Sequence, residues 1–467
     1  MIMMRVWSSA RRLRRALGAV TPAAFLCVAC GAAAVAPVTR SPNATPVTVT
    51  PVTGSPVAVT PVADGPARSL GEPAAAGNSA VSAVVATSFG ASSPRVQAWT
   101  RPAGSAGWSV AGSVLPHGFG SSYDGSAAAA PGGPVLLVAG ASPSDGNCIS
   151  DGSVAIANVR SNGRLSPARL ISDQRGTGNF DDRPVIAAGA GGMVWAAWSQ
   201  GPDANACQDV GTGDHLEVAV SRDGGQTFGA PAALPAAGGN SAFGARLAPL
   251  PGGRAAVSWA ERFGGGQESV LVSVLGPDGR PSPPRRVLTG AAPPLDLPGA
   301  SFYDFPAGDI TALPGGSLAV AAPLWQSGHA VIGLAAGTED GPWKSSAVTP
   351  PGGADLLLPA ITGVSADTLR LLCAVHVRSG DRLSYDQADV RVAPPSRGAP
   401  PAPAAETGLT PVTPAPNGPG FFEIGEELSI TRVPGGLLAP VVVAGGSGAR
   451  LETLTWPQAG GRHSGSG

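Results

Sequence analysis

Ser221-Arg222-Asp223-Gly224-Gly225-Gln226-Thr227-Phe228 reads as a tight polar turn between two β-strands, with the apolar run 216–220 entering it and 228–234 leaving it. Short Asp and Ser side chains bond nearby backbone N–H groups, and the two glycines supply the positive φ that such a reversal needs. Outward from this turn, a Gly-Gly pair recurs at Pro131-Gly132-Gly133, Ala190-Gly191-Gly192, Pro251-Gly252-Gly253, Pro314-Gly315-Gly316 and Pro434-Gly435-Gly436. The interval is about 60 residues, and the last is double; a turn near 365–368 fills that gap, and Gly77-Asn78 extends the series backwards. A small-residue strand precedes each pair and a bulkier one follows, as in 185–189 then 194–198, or 245–250 then 255–259. Two further strands complete each unit through turns such as Asn162-Gly163 and Asp278-Gly279, whose residues accept the positive φ of hairpins. Hairpin-linked strands in a fixed repeat predict an all-β chain, a β-propeller of four-stranded antiparallel blades. The spacing suggests seven blades, with six as the alternative.

Composition agrees. With 67 Gly and 48 Pro in 467 residues, long helices are interrupted too often to form. Lys and Arg number 30 against 31 Asp and Glu, so no basic field points to nucleic acid. Arg5, Arg11, Arg12, Arg14 and Arg15 precede the apolar run 16–29, which is too short to span a bilayer and reads as an export signal. Its end, Leu26-Cys27-Val28-Ala29-Cys30-Gly31, resembles a bacterial lipobox, with Cys27 where that motif prefers Leu. The resemblance implies acylation of Cys30, and plain secretion is the alternative. The expected organisation is a signal peptide at 1–29, a Pro/Thr-rich tether at 30–66, the propeller at 67–456 with a Pro-rich insertion at 394–419, and a disordered tail at 457–467. Thr-Pro-Val repeats at 45–47, 50–52 and 60–62 make the tether extended and semi-rigid.

The pattern Ser221-x-Asp223-x-Gly225-x-Thr227-Phe228 resembles the Asp-box of bacterial neuraminidase repeats. The resemblance is to the sialidase/neuraminidase superfamily and covers about 80–456 at the level of fold. It implies a structural turn, stapling the third strand to the fourth, on the face opposite the active site. Catalytic members use three arginines for the substrate carboxylate, an acid/base Asp, and a Tyr nucleophile polarised by Glu, because an oxocarbenium-like transition state must be countered while an anionic sugar is held. This chain departs from that pattern. It has no Arg-Ile-Pro motif near the start of the domain, and its three tyrosines, Tyr123, Tyr303 and Tyr385, are each followed by Asp.

If all innermost strands run one way, the residues just before them gather around the axis on one face. Those positions hold Tyr123-Asp124, Asp181-Asp182-Arg183, Tyr303-Asp304 and Phe422-Glu423. The candidate binding ring is therefore Asp124, Asp182, Arg183, Tyr303, Asp304 and Glu423, with Arg246 and Arg432 as further cations on inner strands. The same residues also read as carboxylates that tie loop to loop. No catalytic residue is assigned; under a sialidase mechanism Tyr303 is the nucleophile candidate. Cys148 and Cys207 lie in corresponding loops of neighbouring units and are expected to form a disulfide, as suits an oxidising compartment; Cys373 reads as a buried thiol. The loops 145–151 and 203–209 are rich in oxygen donors of the kind Ca²⁺ takes, without matching an EF-hand, and no other cofactor is expected. The five histidines lack zinc spacing. Taken together, the residues suggest an exported, lipid-anchored module that binds a glycan or an envelope protein without catalysis. An exo-α-sialidase and a structural envelope scaffold are the alternatives, and membrane contact is expected only through Cys30.

Overall fold

The computed structural model describes residues 58–64, 70–88, 93–130, 132–144, 150–202, 214–239, 241–263, 267–291, 300–301, 308–379, 382–393, 402–403, 409–414, 422–423, 428–445 and 448–457. Short runs of Val, Leu and Ala between glycine turns form antiparallel strands, and among the described residues helix is confined to single 3-10 turns such as Ala190–Gly192. Sheets 70–113, 121–170 and 179–233 each hold four strands paired in chain order. Sheet 355–414 holds five. The last sheet orders Thr431–Val433, Gly436–Gly445 and Gly448–Pro457 outward, and Ala58–Asp64 is its outermost strand. The first and last described strands thus share one sheet.

The innermost strands Leu70–Gly77, Ser121–Ala129, Asn179–Ala188, Ser241–Leu250, Asp309–Ala312 and Asp355–Gly363 touch in succession, and Leu70–Gly77 also touches Thr431–Val433. Arg432 in Thr431–Val433 bonds the Gly363 carbonyl of Asp355–Gly363, which closes the ring, the arrangement by which propellers protect their sheet edges. Large side chains fill the space between sheets. Trp195, Trp198 and Trp259 are wholly buried, Trp195 and Trp259 in one cluster with Val185, Val218 and Leu271. Complete burial of each such ring contributes about 3 kcal/mol of transfer free energy.

The architecture corrects three expectations. Five sheets stand alone as blades of four or five strands, rather than the seven or six that the spacing suggests. Residues 241–348 instead form one continuous eight-stranded sheet, in which two four-strand runs meet at the single pair Ala291–Trp325. The tether does not extend to residue 66, because Ala58–Asp64 is a strand paired with Gly448–Pro457. Val59, Thr60 and Val62 favour a pleated strand, and Pro61 is tolerated because an outermost strand has no further neighbour to receive an N–H. Likewise Ala402–Pro403 and Thr410–Pro414, inside the expected insertion, pair with Arg382–Ala393 as outer strands.

Candidate functional site at the axial mouth

Five innermost strands carry the same irregularity near their starts. The pairing register with the second strand shifts between Gly71 and Ala74, Tyr123 and Ser126, Asp182 and Val185, Phe243 and Arg246, and Leu357 and Ala360. Each shift is a β-bulge whose first residue is left-handed: Glu72 (φ 54°), Asp124 (φ 50°), Arg183 (φ 52°), Gly244 (φ 66°) and Leu358 (φ 49°). Four of these are not glycine, so the backbone is strained at four places around one mouth. Bulges re-aim side chains. Here they turn the acids of neighbouring sheets toward each other.

Asp124 lies in hydrogen-bond contact with Glu72 on one side and Asp182 on the other. Glu72 also accepts the Thr87 hydroxyl at 3.0 Å. Arg183 offers the opposing charge: its backbone N–H donates to Asp124 Oδ2 at 3.3 Å, and its Nε lies 3.6 Å from Asp182 Oδ2. One guanidinium does not offset the carboxyls. Burial, and then the charge of Glu72, holds Asp124 well above the usual carboxylate range. Burial, and then the charge of Asp124, pushes Asp182 up to about 8. Asp214, just before the third strand His215–Ser221 of the same sheet, is raised by burial and then by Asp182. At neutral pH Asp182 therefore retains its proton and can donate to a hydroxyl group as well as accept from one.

Asp181, next along the chain, has a different part. It is fully buried and accepts Ser172 Oγ, Gln200 Nε2 at 2.8 Å and Gln174 Nε2 at 3.2 Å. That carboxyl ties loops together. Tyr123 stacks on Phe180 with ring centroids 5.8 Å apart and donates its hydroxyl to the Asp181 carbonyl at 3.0 Å. Gly140 and Gly152 leave the room its ring occupies.

The Ser221–Phe228 turn closes at the other end of the same sheet. Asp223 Oδ1 accepts the Gln226 and Thr227 N–H groups, each at 2.9 Å, and the Ser221 hydroxyl at 2.7 Å, while Oδ2 accepts Thr227 Oγ1 at 2.6 Å. The Gly225 N–H donates to Ser221 Oγ at 2.9 Å, and Gly224 N–H to the Gly192 carbonyl at 2.8 Å, which fastens this turn to the Gly-Gly turn. Phe228 packs half-buried against the clusters containing Ile156 and Trp198. Asp182 is near the start of Asn179–Ala188 and Gly192 lies just past its end, so the two carboxyl arrangements occupy opposite faces.

Asp124, Asp182 and Arg183 therefore come together, joined by Glu72 and Asp214, which the sequence reading passed over. Arg246 donates to its neighbour's carbonyl, Ala245 O, at 2.8 Å. Arg432 bonds the Gly363 carbonyl at the far end of an inner strand, away from the acids. Among the described residues, Arg183 is thus the arginine of the three that meets the carboxyl row. Tyr303 and Asp304 lie outside the described residues. Glu423 is described in backbone only, where it pairs in parallel with Ser301, two residues before Tyr303. Cys30, Cys148 and Cys207 also fall outside, as do most residues of the two oxygen-rich loops. Cys373 is a buried free thiol. Among the described residues no cluster of three His, Cys, Asp or Glu side chains is placed to hold a metal ion.

No protein-family model matches the chain, and no curated protein matches it. Solved structures do resemble it. A Dyadobacter fermentans protein of unknown function shares 11% identity over 74% of this chain and 97% of that one, with a TM-score of 0.48. A Hadza microbial sialidase shares 13% over 65% and 63%, with a TM-score of 0.43. An α-L-arabinanase of Penicillium chrysogenum, solved with arabinobiose, shares 12% over 88% and 99%, with a TM-score of 0.44. These are likenesses of fold and say nothing of activity. By its ring of hairpin-built sheets the chain is a β-propeller.

Proposed function

We propose that this protein binds a glycan at the axial mouth, as an exported propeller held at the cell envelope by an acylated Cys30. The observation that carries the reading is the row Glu72, Asp124 and Asp182, contributed by three successive sheets and aimed by strained bulges. Sugars present dense hydroxyl donors and acceptors, and neighbouring carboxyls of which Asp182 keeps its proton can meet both kinds. Strain and mutual repulsion persist at a site only where the surrounding fold over-determines them. An envelope protein remains the rival partner, and its recognition would use the rim rather than the row. A glycan array probed with the exported chain tests this. Binding to defined glycans, lost when Asp124 and Asp182 are both changed to Asn, supports it; equal retention by wild type and double variant sinks it.

A specific observation favours a second reading, hydrolysis. A carboxyl titrating near 8 beside other acids is suited to general-acid work at neutral pH. A sialidase mechanism needs a tyrosine nucleophile, and Tyr303 remains its candidate. Turnover of fluorogenic sialosides, abolished by Tyr303→Phe, would place this reading first. Turnover of neutral aryl glycosides, abolished by Asp182→Asn alone, would favour a hydrolase of another specificity.

A further inference from the structure

Across the mouth from the acid row, the inner strand Asp355–Gly363 begins with a carboxyl in the opposite surroundings. Ser241–Leu250 and Asp309–Ala312 separate it from the row on one side, and Thr431–Val433 on the other. The Asp355 side chain is 1% exposed. It accepts the Ala330 N–H at 2.9 Å, and Arg378 Nε and Nη2, each at 2.7 Å. Burial opposes its charge, yet these bonds hold the carboxyl below its usual range. Two histidines flank the same group: His329 Nδ1 lies 3.9 Å from Oδ1, and His376 Nδ1 lies 3.6 Å from Oδ2. One buried acid here meets three basic side chains, where the row sets several acids around one arginine.

Arg378 is fixed on three sides and open on the fourth. Besides Asp355, its Nη2 donates to the Gly328 carbonyl at 2.8 Å, and its guanidinium lies 5.6 Å from the centroid of the Trp325 ring. Its Nη1 takes part in none of these bonds and has no partner among the described residues, and the side chain is 43% exposed. His329 follows a tight turn in which Ser327 (φ 51°) and Gly328 (φ 85°) are left-handed, and Gly353 leaves room for its Cε1 edge. Its Nδ1 is buried and has no hydrogen-bond partner among the described residues. The tie between the two sheets is made by Asp355, the Ala330 N–H and Arg378. It uses neither Nη1 nor the His329 ring. A guanidinium held rigid by a carboxylate and an aromatic face, with one nitrogen free, is preorganised to bond a planar or tetrahedral oxyanion.

We infer that Arg378 Nη1 and His329 form a site for one oxyanion, a carboxylate or a sulfate ester, at the rim of the mouth. Both side chains approach the same Asp355 oxygen, Oδ1, so one small anion can meet the two together. The inference deepens the glycan-binding reading and rests on it for the carrier: the row takes hydroxyls, and this site reads an acidic substituent on the same glycan.

The test uses the whole exported chain. Calorimetric titration compares a methyl glucuronide and a methyl galactoside sulfate with their uncharged parent glycosides, and proton NMR follows the histidine ring signals as sodium sulfate is added at constant ionic strength. Two variants accompany it. Arg378→Lys keeps a cation for Asp355 but removes the free nitrogen, and His329→Ala leaves the tie between sheets in place. The expected result is an acidic glycoside that binds about tenfold or more tightly than its parent. That preference should disappear in Arg378→Lys and shrink in His329→Ala, with the thermal unfolding of His329→Ala unchanged. Equal binding of acidic and parent glycosides overturns the site, as does a preference unmoved by both variants. If no glycoside binds and the array is blank, a sulfate-dependent shift of the signal missing in His329→Ala keeps the oxyanion site and sinks the glycan reading. Without that shift, both fall.

Discussion

Asp223 and Asp182 belong to one sheet and differ in everything but residue type. Asp223 is exposed, yet four donors from Ser221, Gln226 and Thr227 surround it. Those bonds, led by the Thr227 hydroxyl, hold its carboxyl well below the usual range. Asp182 sits at the opposite face, half-buried against Asp124, and titrates near 8. Donors make a carboxylate structural; crowding by other acids makes it reactive. The fold tolerates the second arrangement because the ring of inner strands holds the bulges in place, and this is where a ligand can supply what the protein does not.

The largest effect should come from removing the cation. Arg183 opposes the charges of Asp124, Asp182 and Asp214. Arg183→Met should destabilise the propeller by about 3 kcal/mol at pH 8, in line with loss of one partner from a partly buried ion pair. The loss should shrink at pH 5, where Asp182 is protonated. Denaturant unfolding at both pH values checks this, and an equal loss at the two would mean the guanidinium acts by packing alone.

Asp182→Asn should move stability the other way. The folded state holds a proton up to about pH 8, whereas an unfolded Asp releases it near pH 3.9. Stability therefore falls as pH rises between those values and levels off above. The variant should lack that slope, matching the wild type near pH 4 and exceeding it at pH 9. With 35% of the side chain in water, the gain is discounted to on the order of 2 kcal/mol. A wild-type profile flat from pH 4 to 8 would remove the contrast with Asp223.

Asp223→Ala should lower the melting temperature by less than Arg183→Met, and equally at pH 5 and pH 8. Its carboxyl is depressed, so its contribution is complete above the ordinary Asp value and is lost only as pH falls below it. Glycan binding should be unchanged, since the turn lies on the far face. Altered binding would mean that the two faces communicate.

How much of this contrast was legible beforehand depends on which signals repeat. The Ser221–Phe228 turn announces itself because every donor to Asp223 is local in sequence. Asp124, Asp182 and Arg183 emerge because inner strands share a direction and these residues stand at their starts. Glu72 was missed: it lies in an Ala-rich run at the domain boundary, and its strand lacks bulk. Yet Glu72-Pro73, Arg183-Pro184 and Leu358-Pro359 repeat one Xaa-Pro step, the proline standing where the bulge interrupts pairing. Asp214 stands just before the third strand of its sheet, so no axial rule points to it. The strand at 58–64 was hidden by its prolines, because its partner strand is almost 400 residues away and composition does not reveal pairing.

The smallest effect distinguishes the mouth from a sialidase site. Tyr123 precedes Asp124, yet its hydroxyl is spent on the Asp181 carbonyl of the neighbouring sheet at 3.0 Å. Tyr385 does the same with the Val442 carbonyl at 2.9 Å, and burial pushes its phenol far above the ordinary value. A hydroxyl that bonds a backbone carbonyl between sheets acts as a rivet, and truncating it removes one buried hydrogen bond. Tyr123→Phe and Tyr385→Phe should each cost about 1 kcal/mol of stability and leave glycan affinity unchanged, measured by denaturant unfolding and titration in parallel. Loss of binding with Tyr123→Phe at undiminished stability would make that phenol part of the ligand site, and the division between tying groups and reactive groups would have to be redrawn around it.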